Sequence, residues 1–153
     1  MKVLILYQTK KRCTRECAIE LGNLIDNSCV QDVTKTKKLN IDDYSKIIIG
    51  TSIWGGRFHK RIKKFIEKNE EKLLQKDLGF FVCSGEMKEE FIKNNISPKL
   101  LAHAKHKYLV GGKLILKEYN FLMRFGLRKA AQVTEDCNTV DHNKIAELAT
   151  HFN

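Results

Sequence analysis

Three short stretches hold the residues whose types and spacing can do chemistry. The first is Tyr7-Gln8-Thr9-Lys10-Lys11-Arg12-Cys13-Thr14-Arg15, which leads from an apolar run directly into a helical pattern. A strand-to-helix loop offers unpaired N–H groups and the positive end of a helix dipole, both of which favour an anion. Thr9 and Thr14 add hydroxyls, and Lys10, Lys11 and Arg12 add charge. Neither GxGxxG nor GxxxxGK[ST] occurs, which argues against a dinucleotide or P-loop site. The second stretch, Gly50-Thr51-Ser52-Ile53-Trp54-Gly55-Gly56-Arg57-Phe58, holds the one Trp of the chain. A Trp among small residues past a strand end suits stacking on a flat ring, and paired glycines let backbone approach a ligand. The third, Cys83-Ser84-Gly85-Glu86-Met87, offers backbone donors and acceptors to the edge of a heterocycle. Each stretch also has a plainer reading: Thr14 as an N-cap, Trp54 packed on the next helix, Ser84 capping an ordinary turn.

Stepping outward, short apolar runs alternate with amphipathic helices. Val3 to Tyr7 reads as a strand covered on both faces. Cys17, Ala18, Leu21, Leu24 and Ile25 recur at helical spacing behind Thr14. A weak strand is expected around Cys29 to Val33, and a strong one at Ile47-Ile48-Ile49. Ile62, Phe65, Ile66 and Leu73 mark a long basic helix. Leu78 to Cys83 is the fourth strand, and a short helix is expected near Lys88 to Lys93. Ser97-Pro98 opens another helix through about Lys105. Tyr108-Leu109-Val110 with Leu114-Ile115-Leu116 supplies the fifth strand, broken at Gly111-Gly112. Ile145, Leu148, Ala149 and Phe152 line a last helix. The expected fold is therefore α/β, a doubly wound five-stranded parallel sheet. Ligands of such sheets sit outside the carboxyl ends of the strands, which selects the same three loops.

No Pro/Gly-rich linker divides the chain, so residues 1–153 are read as one domain. No apolar run approaches the ~20 residues of a spanning helix. The N-terminus reads as a first strand rather than a signal segment, so the expected location is the cytoplasm. Five cysteines, without CxxC pairs, support neither a zinc nor a disulfide framework; Cys13 and Cys17, four apart, share a helix face. The net charge of +10, from 28 Lys and Arg against 18 acids, implies attraction to anions such as phosphate or a membrane surface. Nucleic-acid binding rests on that charge alone and has no motif. A helix drawn from Lys117 puts Lys117, Asn120, Arg124 and Arg128 on one face and Tyr119, Leu122, Met123 and Leu127 on another. That is a pattern for an anionic membrane surface or for a helix packed on the sheet.

The pattern Leu4-Ile5-Leu6-Tyr7-x-Thr9-x4-Thr14, followed by Ile48-Ile49-Gly50-x-Ser52-Ile53-x-x-Gly56-x-x-His59, resembles the flavodoxin superfamily. It is most similar to the flavodoxin-like, menaquinone-dependent protoporphyrinogen oxidase family. The resemblance implies FMN as cofactor, its phosphate in the loop from Gln8 to Thr14. It also implies that Ser52 to Gly55 and Ser84 to Glu86 flank the isoalloxazine. Gln8 and Arg12 depart from the family, which commonly has a hydroxyl residue and Gly there. Met123 to Asn138 is shorter than in the oxidase. The residues expected at the cofactor are Gln8, Thr9, Lys10, Lys11, Arg12, Cys13, Thr14, Thr51, Ser52, Ile53, Trp54, Gly55, Ser84, Gly85 and Glu86. No side chain is expected to act as a catalytic group of its own, and no metal ligand is expected. The partners implied are a redox donor and an acceptor, with peripheral contact to the inner face of the membrane in the oxidase reading. The competing functions are a general flavodoxin-like electron carrier and a flavin-free binding module. A phosphorelay receiver shares the architecture but needs carboxylates where Gln8 and Thr51 stand, which leaves little for it.

Overall fold

The computed structural model describes residues 2–8, 11–130 and 135–153. Strand β1 (Val3–Gln8) is buried along its whole length, as its apolar run requires. Helix α1 (Cys13–Leu24) follows, then β2 (Ser28–Asp32), β3 (Lys46–Trp54) and a two-residue β4 (Arg57–Phe58). Next come α2 (Lys60–Leu73), β5 (Asp77–Cys83), α3 (Glu90–Lys93), α4 (Pro98–His103) and β6 (His106–Gly111). The chain ends with β7 (Lys113–Leu114), α5 (Phe121–Ala130), β8 (Cys137–Asn138) and α6 (His142–Thr150).

Five parallel strands stand in the order β2-β1-β3-β5-β6, with helices on both faces. The period-2 alternation of the strands divides the core into two layers. On one face Leu4, Leu6, Ile47, Ile49, Phe80 and Val82 pack with α2 and α4. On the other, Ile5, Tyr7, Ile48, Phe81 and Val110 pack with α1 and α6. Helix α2 holds to its face through Ile62, Ile66 and Leu73, each fully or almost fully buried. Burial of such a side chain contributes about 1.5–3 kcal/mol.

Several boundaries differ from the sequence expectation. β3 does not stop after Ile49 but runs to Trp54, because its end turns back as a hairpin: Ile53 pairs Phe58 and Trp54 pairs Arg57. Gly55 and Gly56, with φ of 57° and 74°, make the two-residue turn. Leu114 does not extend the fifth strand. Gly111 (φ 84°) bends the chain out of the sheet, and Leu114 pairs antiparallel with Cys137. A side chain at Gly111 would lie 2.0 Å from the Thr139 carbonyl oxygen. The helix drawn from Lys117 begins at Phe121 instead, behind a single 3-10 turn over Leu116–Glu118. Asn120 starts it, its Oδ1 accepting from the Met123 N–H at 2.8 Å. Tyr119 therefore leaves the helix face and is buried. The Ser97 cap and Pro98 stand as expected, with Ser97 Oγ accepting from the Leu100 N–H.

Candidate functional site

The order reverses between β1 and β3: β1 runs on to β2 on one side, and β3 begins the other half of the sheet. Register places Tyr7 beside Gly50, Gln8 beside Thr51 and Ser52 beside Cys83, so the three loops leave the sheet at one edge. That is the switch point at which open α/β sheets bind ligands.

Gln8 ends β1 and is buried. Thr9 and Lys10 lie outside the described residues. Thr14 is not the helix cap. The N-cap is Arg12, which makes no side-chain cap bond, and Thr14 falls inside the first turn, fully buried. The turn starts early because Cys13 and Cys17 are both drawn into the core. Thr14 Oγ1 is left with no hydrogen-bond partner among the described residues. The Cys13 side chain belongs to that core rather than to the loop.

Trp54 sits on the extension of β3 rather than in a loop, held by the hairpin. Asn95, unnoticed in the sequence, fixes this hairpin: its Oδ1 accepts from the Phe58 N–H at 2.9 Å, and its Nδ2 donates to the Gly56 and Phe91 carbonyls at 2.9 and 2.7 Å. Thr51 Oγ1 accepts from the His59 N–H and is fully buried, which makes it a brace for the following helix start. His59 itself caps α2, accepting from the Arg61 N–H at 3.3 Å. Ser52 Oγ is buried and has no hydrogen-bond partner among the described residues. In the third loop Ser84 Oγ accepts from the Glu86 N–H, and the Ser84 N–H donates to the Gly111 carbonyl. Added side chains at Gly55 and Gly85 would meet nothing within 4 Å, so both turns face open space.

A fourth segment joins the site that no sequence signal announced. Leu116–Tyr119 lies against the first and second loops. Arg12 Nε pairs with Glu118 Oε1 at 2.8 Å, and Lys11 donates to the Glu118 carbonyl. The Lys11 ammonium lies 4.6 Å from the Tyr119 ring centroid, and that ring is 6.0 Å from Trp54 at 48°. Burial, helped by Glu118, pushes the Tyr119 phenol above its ordinary pKa. Arg12 is thus partly neutralised, and Lys11 already engaged, before any anion arrives.

Beneath the first loop the Cys13, Cys17 and Cys83 thiols meet. Hydrogen bonds from Cys17 and Cys83 hold the Cys13 thiol well below the ordinary range, and Lys113 adds to this. The same bonds, with burial, push Cys17 and Cys83 upward. Beside the hairpin runs a groove of ≈ 780 Å³, whose lining includes Gly55, Arg57, Lys63, Lys88 and Phe91.

A flavodoxin domain family model matches residues 4–141. The chain is 31% identical over 85 residues to protoporphyrinogen IX dehydrogenase [quinone] of Escherichia coli (strain K12). That match takes in 53% of this chain and 47% of the relative, so the chain spans about half the length of the curated relatives it matches. Among solved structures it is similar to oxidised flavodoxin 2 from Bacillus cereus (TM-score 0.58, 16% identity, 99% of this chain and 97% of that one). It is also similar to the Fusobacterium nucleatum flavodoxin bound to flavin mononucleotide (TM-score 0.53, 14% identity, 99% and 96%). At these identities the two structures speak for the fold.

Proposed function

The chain belongs to the flavodoxin domain family, and from that premise we propose that it binds FMN at the β1/β3 switch point and acts as an oxidoreductase. The observation that carries this is the pair of buried hydroxyls there, Thr14 Oγ1 and Ser52 Oγ, neither with a partner among the described residues. A buried hydroxyl without a partner costs about 1–3 kcal/mol, and an anion with a polar ring edge would satisfy both. The phosphate is assigned to Thr14, the first N–H groups of α1, and Lys11 and Arg12, with Thr9 and Lys10 as further members of the loop. Ser52, Ile53, Trp54, Gly55 and the Ser84–Glu86 turn are assigned to the ring. Gln8 ends the strand between the two, and Cys13 and Thr51 support the site from beneath.

When bound, FMN supplies the electron chemistry and the protein supplies position and field. Trp54 offers an aromatic face, and Asn95 holds the hairpin that carries it. Gly55 and Gly85 leave room for a flat group to approach. Arg57, Lys63 and Lys88 in the adjoining groove, which Glu90 also lines, suit a carboxylate-bearing macrocyclic substrate, with Phe91 as an apolar wall. A tetrapyrrole such as the porphyrinogen named for the Escherichia coli relative has that chemistry.

The acceptor in this reading is a quinone at a membrane surface. Helix α5 exposes Phe121, Leu122 and Phe125 at 77%, 78% and 55%, and Arg124, Arg128 and Lys129 lie on the same short helix. A basic helix with an unburied apolar face suits an anionic leaflet, its cations drawn to the headgroups and its rings to the acyl boundary. The test is anaerobic mixing of FMN-loaded protein with protoporphyrinogen, followed by menaquinone in anionic vesicles. Porphyrin formation matched by quinone reduction supports the reading. Electron delivery to a protein acceptor, with none to the quinone, replaces it with that of an electron carrier.

A further inference from the structure

Three of the five cysteines of the chain converge at one point beneath the first loop, where the flavin reading gives Cys13 only a supporting place and Cys17 and Cys83 none. Cys13 and Cys17 are one turn apart on α1, and Cys83 ends β5 where that helix packs on the sheet. The three Sγ atoms all lie within 4.8 Å of one another, and Cys17 Sγ is 3.8 Å from Cys83 Sγ. All three are reduced and buried, with Cys13 the most accessible at 8%.

Metal–thiolate bonds of about 2.3 Å put ligand sulfurs about 3.8–4.0 Å apart in tetrahedral or trigonal coordination. The Cys17–Cys83 separation matches that spacing, and the Cys13 sulfur lies within 4.8 Å of both. No fourth His, Cys, Asp or Glu joins the group among the described residues. Closed zinc sites take four protein ligands, whereas soft monovalent copper accepts three sulfurs. The Lys113 backbone N–H hydrogen-bonds Cys13, the kind of outer-shell donor that orients a thiolate ligand. The Lys113 ammonium, 3.1 Å from Glu16, places a positive charge nearby.

We propose that Cys13, Cys17 and Cys83 form a three-sulfur site for a soft d10 cation of the copper(I) class. Binding forms three metal–sulfur bonds and releases the thiol protons to solvent. The metal keeps its oxidation state, so no co-reactant is needed. The site is independent of FMN, since none of its three ligands needs the cofactor in place. Cys13, the first residue of α1 and the most accessible of the three, gives the entry path.

The test is an anaerobic titration of the full chain with copper(I) in competition with a chromophoric chelator, following thiolate-to-copper absorption in the ultraviolet. The expected result is one equivalent bound, with Cys13, Cys17 and Cys83 protected from alkylation and the exposed Cys137 still reactive. Cys83→Ala and Cys17→Ala should each weaken binding at least 100-fold while circular dichroism confirms the fold, and Cys137→Ser should leave affinity unchanged. Using two core variants keeps the test decisive should one fail to fold. Copper held at Cys137, affinity that survives Cys17→Ala, or zinc(II) bound more tightly than copper(I) would each overturn the assignment.

Discussion

Thr14 separates the cofactor account from a purely structural one. It is fully buried inside the first turn of α1 and its hydroxyl has no partner among the described residues. Thr14→Val keeps the shape and removes the hydroxyl. The expected outcome is an apo-protein as stable as the parent or stabler by up to about 1 kcal/mol, with FMN affinity weakened ~10-fold. Denaturant unfolding and FMN titration check the two halves separately; a destabilised variant with unchanged affinity would make Thr14 a packing residue. Glu118 acts in the opposite sense. Its carboxylate pairs with Arg12 at 2.8 Å in a contact that is open on the arginine side. Glu118→Gln should free that charge for an anion and tighten FMN up to ~5-fold at low salt, as expected for a pair of about 0–1 kcal/mol. The gain should shrink as ionic strength rises. Thr14 and Trp54 were legible as candidates because their own neighbours carry the signal. Glu118, Tyr119 and Asn95 were not, because each meets the site across the fold; Lys11 and Glu118 are 107 residues apart.

At the scale of elements, apolar runs and helical spacing revealed the five parallel strands and the main helices. The ends were less legible, for reasons that differ from place to place. The extension of β3 to Trp54 depends on pairing with Arg57 and Phe58, and Ile53-Trp54 alone does not distinguish a strand from a loop. The departure at Gly111 was visible as a Gly-Gly pair, but its direction depends on Thr139, which only the fold brings near. Gly111→Ala would place a methyl 2.0 Å from the Thr139 carbonyl at a positive φ. It should cost at least about 2 kcal/mol and loosen the Ser84 turn, whose N–H bonds to the Gly111 carbonyl. Chemical denaturation measures the first effect and amide exchange at Ser84 the second. Helix α5 was misplaced by four residues, since an amphipathic repeat does not reveal that Asn120 is the start. The correction strengthens the membrane reading, because Phe121 and Phe125 now face outward. Phe121→Ser with Phe125→Ser should reduce binding to anionic vesicles ~10-fold without altering FMN affinity, as a flotation assay would show.

For the whole molecule, the charge of +10 predicts attraction to anions that weakens with salt. Stability should also depend on pH through one half-buried ring. His106 stacks on His151 at 3.9 Å and packs edge-on to Phe152. Burial, then His151, with Lys105 and Lys107 adding to the effect and Asp77 opposing it, lowers its pKa below the ordinary 6.5. Below pH 6.5 the unfolded chain binds a proton that the folded chain resists, so stability falls as pH drops from 6.5 toward the lowered value. Above 6.5 this contribution is constant. His106→Asn should flatten the slope in urea unfolding series run between pH 5 and 7.

The central claim, FMN seated at the β1/β3 switch point, is tested most directly by the fluorescence of Trp54 during FMN titration. The chain has a single Trp, so the signal has one source. Trp54 should be quenched in proportion to occupancy, reaching a plateau at one equivalent of FMN, with FAD far weaker. Unchanged Trp54 emission at saturating FMN, or tight FAD binding without a response to FMN, would contradict the account.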